Sequence, residues 1–117
     1  MSATLLIVDD HADFRRSARA MLEADGFRVV GEAQDGADAI DKTESLRPEV
    51  VLLDVQLPDL DGFTVAERIA ARTDAPVVVL ISSRDRSVYA SKLAGAPVRG
   101  FIAKSDLSGE ALASLVT

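Results

Sequence analysis

The residues that could do chemistry stand at the ends of short apolar runs. Asp9 and Asp10 follow the run TLLIV, and Asp54 follows VVLL. Ser82 follows PVVVLI, and Lys104 follows GFIA. Each position alone has a simple explanation, because a strand end meets water and a polar side chain is common there. Four such coincidences favour one shared site, provided that the runs are strands that end at the same edge of a sheet.

This set of side chains suits phosphoryl transfer. Carboxylates packed close together raise one another's pKa values unless a cation joins them. Mg²⁺ binds oxygen ligands and commonly uses one or two carboxylates together with phosphate oxygens. A lysine can pair with a carboxylate or a phosphoryl oxygen, a serine hydroxyl can donate a hydrogen bond to one, and an aspartate can act as the nucleophile.

The elements that must position these residues alternate between apolar runs and helical stripes. Near-continuous apolar strands alternating with helices predict an α/β fold with a parallel sheet covered on both faces. The predicted strands cover residues 4–8, 27–33, 49–54, 76–82 and 98–104, the second being weaker and at a sheet edge. The first predicted helix runs from Asp10 to a stop at Gly26, and the second covers 35–46, with Asp35 as its N-cap and Pro48 beyond its end. The third begins after a cap at Asp61, the fourth covers 86–95, and the fifth covers 105–116.

Composition excludes several classes of function. The 117 residues correspond to one domain. Acids outnumber bases 19 to 13, so we expect no direct binding of this domain to nucleic acid. The absence of cysteine excludes disulfides and thiolate metal sites. We see no secretory signal and no apolar run long enough to span a bilayer, so we expect a cytoplasmic protein without a membrane partner.

Four motifs together resemble one family. IVDDH, LLDVQLPDLDG, ISS and GFIAK, in this order and at fitting spacing, look like the receiver domain of bacterial two-component response regulators. The resemblance covers the whole chain, 1–117, as a single receiver domain. It implies a flavodoxin-like, doubly wound, five-stranded parallel sheet of order 2-1-3-4-5 with five helices. The KSDL stretch is familiar from receivers joined to helix-turn-helix output domains, so the chain is compatible with the N-terminal part of a longer regulator.

The resemblance also implies a role for each site residue. Asp54 is the phosphoacceptor, which takes a phosphoryl group from a sensor histidine kinase as an aspartyl phosphate. Mg²⁺, or Mn²⁺, is the implied cofactor. The implied metal ligands are Asp10 directly, Asp9 through water, Asp54, and the backbone carbonyl of Gln56. The implied switch consists of the hydroxyl of Ser82, the aromatic ring of Phe101 and the cation Lys104.

The chain departs from the family pattern around its fourth helix. The stretch between Ser82 and Gly95 is about two residues short and GAPVRGF is about two residues long, so we expect a remodelled fourth helix. Two serines stand in tandem, and we favour Ser82 over Ser83 because it ends the apolar run. We expect His11 to be exposed and structural, and Asp59 to be a solvated loop residue.

Three functions of different classes follow. The leading hypothesis is a phosphorylation-controlled signalling module that assists only its own phosphorylation and dephosphorylation. Phosphorylation would change the surface from strand 4 to helix 5 and so control an output domain or a downstream protein. The expected output is transcription. The second is a haloacid-dehalogenase-type phosphohydrolase, although Asp54 is followed by Val55 and Gln56 rather than by the Asp-x-Asp pattern. The third is a phosphorylation-independent interaction domain. Homodimerisation on phosphorylation is left open.

Overall fold

The computed structural model describes residues 3–117; residues 1 and 2 of the predicted domain lie outside the described residues. Five strands alternate with five helices, as predicted. The strands are β1 (Thr4–Val8), β2 (Arg28–Ala33), β3 (Val50–Asp54), β4 (Val77–Ser82) and β5 (Gly100–Ala103). The helices are α1 (Ala12–Ala24), α2 (Gly36–Leu46), α3 (Gly62–Ala70), α4 (Ala90–Gly95) and α5 (Gly109–Val116), with 3₁₀ turns at Arg86–Tyr89 and Lys104–Asp106.

All strand pairs are parallel, and the order across the sheet is β2-β1-β3-β4-β5. This confirms the predicted flavodoxin-like topology and the edge position of β2. The register pairs Asp54 with Ile81 and Ser82 with Ala103. The carboxyl ends of the strands are therefore nearly level, and the polar residues at those ends share one edge of the sheet.

The three inner strands, β1, β3 and β4, are apolar along nearly their whole length because both faces of the sheet are covered. Leu6, Leu53 and their neighbours pack against α2 and α3, whereas Leu5, Leu52 and their neighbours pack against α1 and α5. Successive strand residues point to opposite faces, so a sheet buried on both faces needs an apolar residue at every position. This two-sided burial leaves the strand ends as the places where charged residues can stand.

The helix caps at Asp35 and Asp61 are confirmed. The Asp35 side chain accepts a hydrogen bond from the amide of Asp38, and the Asp61 side chain accepts one from the amide of Thr64. Both satisfy an amide that the first helical turn leaves without a partner. Helix α2 ends at Leu46. The next residue, Arg47, adopts the left-handed conformation with a φ of 48° and directly precedes Pro48.

The extents predicted for the last two helices were wrong. The stretch 86–95 is a 3₁₀ turn followed by the six-residue α4, and neither element contains a buried residue. The final helix begins at Gly109 rather than at residue 105. Its first turn is fixed by two side-chain acceptors, since Ser108 accepts from the amide of Ala111 and Asp25 accepts from the amide of Gly109. Among residues 3–117, none of the helices combines the length and the apolar character needed to cross a membrane.

Candidate functional site

The site is built where β1, β3 and β5 end. Asp54 is the last residue of β3 and is 3% exposed, and Asp9, directly after β1, is fully buried. Lys104 follows β5 and reaches both acids. Its Nζ lies 2.5 Å from Asp9 Oδ2 and 3.3 Å from Asp54 Oδ2. The structure thus brings together three of the predicted site residues around a single ammonium group.

One ammonium does not balance two buried carboxylates. Burial raises the pKa of Asp54 to about 6, with the Asp9 charge adding to the effect and Lys104 opposing it. For Lys104, burial alone would lower the pKa, but the hydrogen bond to Asp9 and the charges of Asp54 and Asp9 together raise it. The lysine therefore stays charged, and the pocket keeps an excess of negative charge that a further cation would neutralise.

The donor set fits a hard divalent cation. Asp9 Oδ2 is buried and makes no well-directed hydrogen bond, although the Lys104 ammonium stands beside it. Oxygen atoms of Asp9 and Asp10 and a ring nitrogen of His11 lie within 4.8 Å of one another. Carboxylate oxygens with room for water are the ligands that Mg²⁺ prefers. The residues at this edge therefore suit the Mg²⁺ that the resemblance implies.

His11 is exposed, as expected, with 70% of its side chain accessible. Its contacts with the acids were not predicted. The backbone amide of His11 donates to Asp9 Oδ1 at 2.8 Å, and its Nδ1 lies 3.1 Å from Asp9 Oδ1 and 3.1 Å from Asp10 Oδ1. The only sequence signal for this arrangement is that His11 directly follows the acidic pair. The contacts hold the Asp9 side chain in a fixed orientation.

Ser82 is fully buried at the end of β4, whereas Ser83 is exposed. The Ser82 Oγ accepts a hydrogen bond from the amide of Arg84 at 3.1 Å. It also lies 3.3 Å from the hydroxyl of Tyr89. Sequence reasoning assigned no role to Tyr89, because nothing in the local pattern places residue 89 beside residue 82.

Phe101 is buried and belongs to an aromatic cluster. Its ring centroid lies 6.0 Å from that of Tyr89, and the Tyr89 centroid lies 5.8 Å from that of Phe63. These separations are within the range in which tilted aromatic pairs attract one another. The predicted switch aromatic therefore contacts the start of α4 through Tyr89.

The loop after Asp54 is held close to the strand by Gly62. A Cβ at this position would lie 2.5 Å from the Asp54 carbonyl oxygen and 2.8 Å from the Val55 Cα, so only glycine fits. The amide of Gly62 donates to the Val55 carbonyl at 2.7 Å. At the other side of Asp54, the amide of Gln56 donates to Asp54 Oδ1 at 3.3 Å. The loop therefore follows β3 closely.

Asp59 lies in an exposed loop, as predicted, but it also has a structural role that was not predicted from the sequence. Its carboxylate accepts hydrogen bonds from the amides of Gly36 at 2.7 Å and Ala37 at 2.9 Å, and these bonds lower its pKa. Asp59 thus caps the N-terminus of α2 from a loop that is distant in sequence. A cap supplied from 23 residues away leaves no local signature in the sequence.

Comparisons with known proteins agree with this geometry. Residues 5–116 match the response regulator receiver domain. A putative transcriptional regulator of Pseudomonas aeruginosa is 32% identical over 108 residues, which cover 92% of this chain and 52% of that protein. A protein-glutamate methylesterase/protein-glutamine glutaminase of Alkalilimnicola ehrlichii is 40% identical over 83 residues, which cover 70% of this chain and 21% of that protein.

A solved structure agrees as well. The signal receiver domain of the putative response regulator NarL from Mycobacterium tuberculosis superposes with a TM-score of 0.83 at 29% identity, over 97% of this chain and 96% of that one. The chain spans about half, or less, of the length of the two curated relatives described above. With the family match over residues 5–116 and the sheet order in agreement, the chain belongs to the response regulator receiver domain family.

Proposed function

We propose that Asp54 accepts a phosphoryl group from a sensor histidine kinase in a Mg²⁺-dependent reaction. A carboxylate oxygen of Asp54 forms the new O–P bond while the N–P bond to the kinase histidine breaks. The supporting observation is the ion pair that Lys104 shares between Asp54 and Asp9 at the ends of neighbouring strands. At neutral pH an Asp54 pKa of about 6 leaves most molecules with the ionised, nucleophilic carboxylate.

The hydrogen bonds favour Asp54 over Asp9 as the nucleophile. Oδ1 of Asp9 accepts from the His11 amide and lies beside the His11 ring, and Oδ2 of each acid is paired with the Lys104 ammonium. Asp54 Oδ1 has only the long 3.3 Å hydrogen bond from the amide of Gln56. Asp54 Oδ1 thus has fewer and weaker contacts than Asp9 Oδ1, which favours Asp54 as the acceptor.

In this proposal Asp9, Asp10, Asp54 and the backbone carbonyl of Gln56 would hold Mg²⁺ or Mn²⁺. The ion would neutralise charge on the phosphoryl oxygens, a task that Lys104 shares. The phosphoryl group adds up to about two negative charges, which the Ser82 hydroxyl can stabilise with a hydrogen bond. The contact of Phe101 with Tyr89 supports its role as the aromatic that couples this site to the surface from β4 to α5.

The output that we propose is control of transcription by another domain or protein. The similarity to the P. aeruginosa putative transcriptional regulator supports this, and the net charge of −6 argues against DNA binding by residues 1–117 themselves. In this proposal residues 1–117 form a single receiver domain that acts in the cytoplasm, either as a stand-alone receiver or as the N-terminal part of a longer regulator. Homodimerisation on phosphorylation is part of the same hypothesis, and size-exclusion chromatography with and without phosphorylation tests it.

The decisive experiment is labelling with acetyl phosphate and Mg²⁺, followed by intact mass. We expect the wild type to gain one phosphoryl group and Asp54→Asn to gain none. Asp59→Asn is the matched control, because Asp59 is an acid of the same loop that caps α2. It should be labelled like the wild type, and EDTA should abolish labelling. Equal labelling of Asp54→Asn would overturn the assignment.

The same experiment separates the alternatives. A folded wild type that takes up no phosphoryl group would favour a phosphorylation-independent interaction domain. Sustained turnover of a generic phosphate ester such as p-nitrophenyl phosphate would favour the phosphohydrolase. We expect no such turnover, because the Asp-x-Asp pattern of those enzymes is absent after Asp54.

A further inference from the structure

The hydroxyl of Ser82 is engaged before any phosphoryl group is present. Ser82 Oγ accepts from the amide of Arg84 at 3.1 Å, and it lies 3.3 Å from the Tyr89 hydroxyl. A serine hydroxyl has a single hydrogen to donate. Its oxygen can also accept two hydrogen bonds, so either hydroxyl of the Ser82–Tyr89 pair can be the donor. In either direction the bond holds Ser82 Oγ beside Tyr89, and a turn of Ser82 towards a phosphoryl group on Asp54 would break it.

Tyr89 is held in this position by its ring. The ring lies between Phe63 of α3 and Phe101 of β5, with centroid separations of 5.8 Å and 6.0 Å. Tyr89 is also the last residue of the 3₁₀ turn and the residue immediately before α4. A hydrogen bond at its hydroxyl therefore links the end of β4 to a segment, residues 86–95, that buries none of its own residues.

We propose that Tyr89 is a positioning residue that holds the Ser82 hydroxyl in the unphosphorylated chain, so that phosphorylation of Asp54 exchanges the Ser82–Tyr89 hydrogen bond for one from Ser82 to the phosphoryl group. The exchange releases Tyr89, and with it the start of α4. This inference rests on the proposed function of Asp54 and places an aromatic residue that acts directly on the serine immediately before α4. Tyr89 opposes activation, because its hydrogen bond must break before Ser82 can turn to its new partner.

The test is a double-mutant cycle on beryllofluoride binding in the presence of Mg²⁺, measured by calorimetry. Tyr89→Phe removes the hydroxyl and keeps the ring between Phe63 and Phe101. We expect it to tighten beryllofluoride binding by about threefold. A change of this size corresponds to a neutral hydrogen bond at the weak end of the usual range, as expected for a long bond. In a Ser82→Ala background, where the partner is absent, Tyr89→Phe should have no effect. Equal effects in both backgrounds, weaker binding, or no change would each overturn the inference.

A spectroscopic readout tests the hydrogen bond itself without phosphorylation. Tyr89 is the only tyrosine, and the chain has no tryptophan, so tyrosine absorbance and fluorescence report this residue alone. We expect Ser82→Ala to shift the tyrosine spectrum of the unphosphorylated chain, and beryllofluoride to shift the wild-type spectrum in the same direction. A spectrum that neither change moves contradicts the inference.

The outcomes separate this inference from the function on which it rests. If the wild type neither binds beryllofluoride nor is labelled at Asp54, the proposed function fails and the role of Tyr89 fails with it. If the wild type binds and is labelled, but Tyr89→Phe behaves like the wild type, only the role of Tyr89 fails. Thermal unfolding of each variant confirms that it is folded.

Discussion

Helix α3 and the segment 86–95 have similar lengths and opposite relations to the core. Five of the nine residues of α3 are buried, including Phe63, Val65 and Ile69. The 3₁₀ turn and α4 that make up residues 86–95 bury none, and Val88 within them is 56% exposed. Both elements border the site, α3 through Gly62 beneath Asp54 and the segment 86–95 through Tyr89 beside Ser82.

In the proposed function, this difference separates the chemistry from the response. The carboxylates stand on strands and loops anchored by buried side chains, so their geometry is costly to change. The segment 86–95 is held by a few partly buried contacts, and such elements open at low free energy. A receiver needs both properties, a rigid acceptor site and a surface that can rearrange.

Helix caps show the same contrast. The first amides of α2 are capped by Asp35 and by the distant Asp59, and those of α5 by Ser108 and the distant Asp25. The residue at the N-cap of α4, Tyr89, makes no side-chain capping hydrogen bond. Helices α2 and α5 are thus tied to remote parts of the chain at their first turns, and α4 is not.

The sharpest test of the comparison truncates one side chain in the buried core and one in the segment 86–95. Leu53→Ala removes a fully buried side chain from β3 and should lower the free energy of unfolding by about 3 to 5 kcal/mol. Val88→Ala removes a mostly exposed side chain and should change it by less than about 0.5 kcal/mol. Urea denaturation measures both. Comparable losses would show that residues 86–95 are as firmly packed as the core.

The second test concerns the cost of the rigid acid site. The folded state raises the pKa of Asp54 from 3.8 to about 6, so folding favours the protonated form. The stability from this group is complete below the unfolded pKa and is lost as the pH rises through about 6. In EDTA, Asp54→Asn should therefore gain between about 1 and 2 kcal/mol over the wild type on going from pH 5 to pH 8.

Urea denaturation of both proteins at the two pH values measures this difference. Saturating Mg²⁺ should reduce it, since a bound cation stabilises the ionised carboxylate. A difference between the two proteins that does not depend on pH would mean that Asp54 is not destabilised by its surroundings.

The smallest expected effect concerns the capped helices. Asp59→Ala removes a carboxylate that accepts from two amides at the start of α2 and should cost about 1 kcal/mol. Asp59→Asn retains an acceptor oxygen and should cost less. Thermal unfolding of the two variants measures the difference. Equal stability of Asp59→Ala and the wild type would show that the Asp59 cap does not stabilise α2.

Much of the fold was predictable from the sequence because burial on both faces forces continuous apolar strands. The runs that end at Val8, Asp54 and Ser82 predicted three strands, and the caps at Asp35 and Asp61 followed from local chemistry. The helices over 86–95 and 105–116 were predicted too long. Weak amphipathic patterns there do not show where packing ends a helix, and the start of α5 depends on Asp25, 84 residues away.

The amino-acid sequence alone determined which residues stand at the strand ends, and so which chemistry the edge of the sheet can support, because strand periodicity and polar residue types are local properties. Only the tertiary structure decided the pairing of Lys104 with both Asp9 and Asp54, the cap from Asp59 to α2, and the hydrogen bond between Ser82 and Tyr89. These contacts join distant parts of the chain or depend on how the segment between Ser82 and Tyr89 folds. Packing sets both, and no local pattern records them.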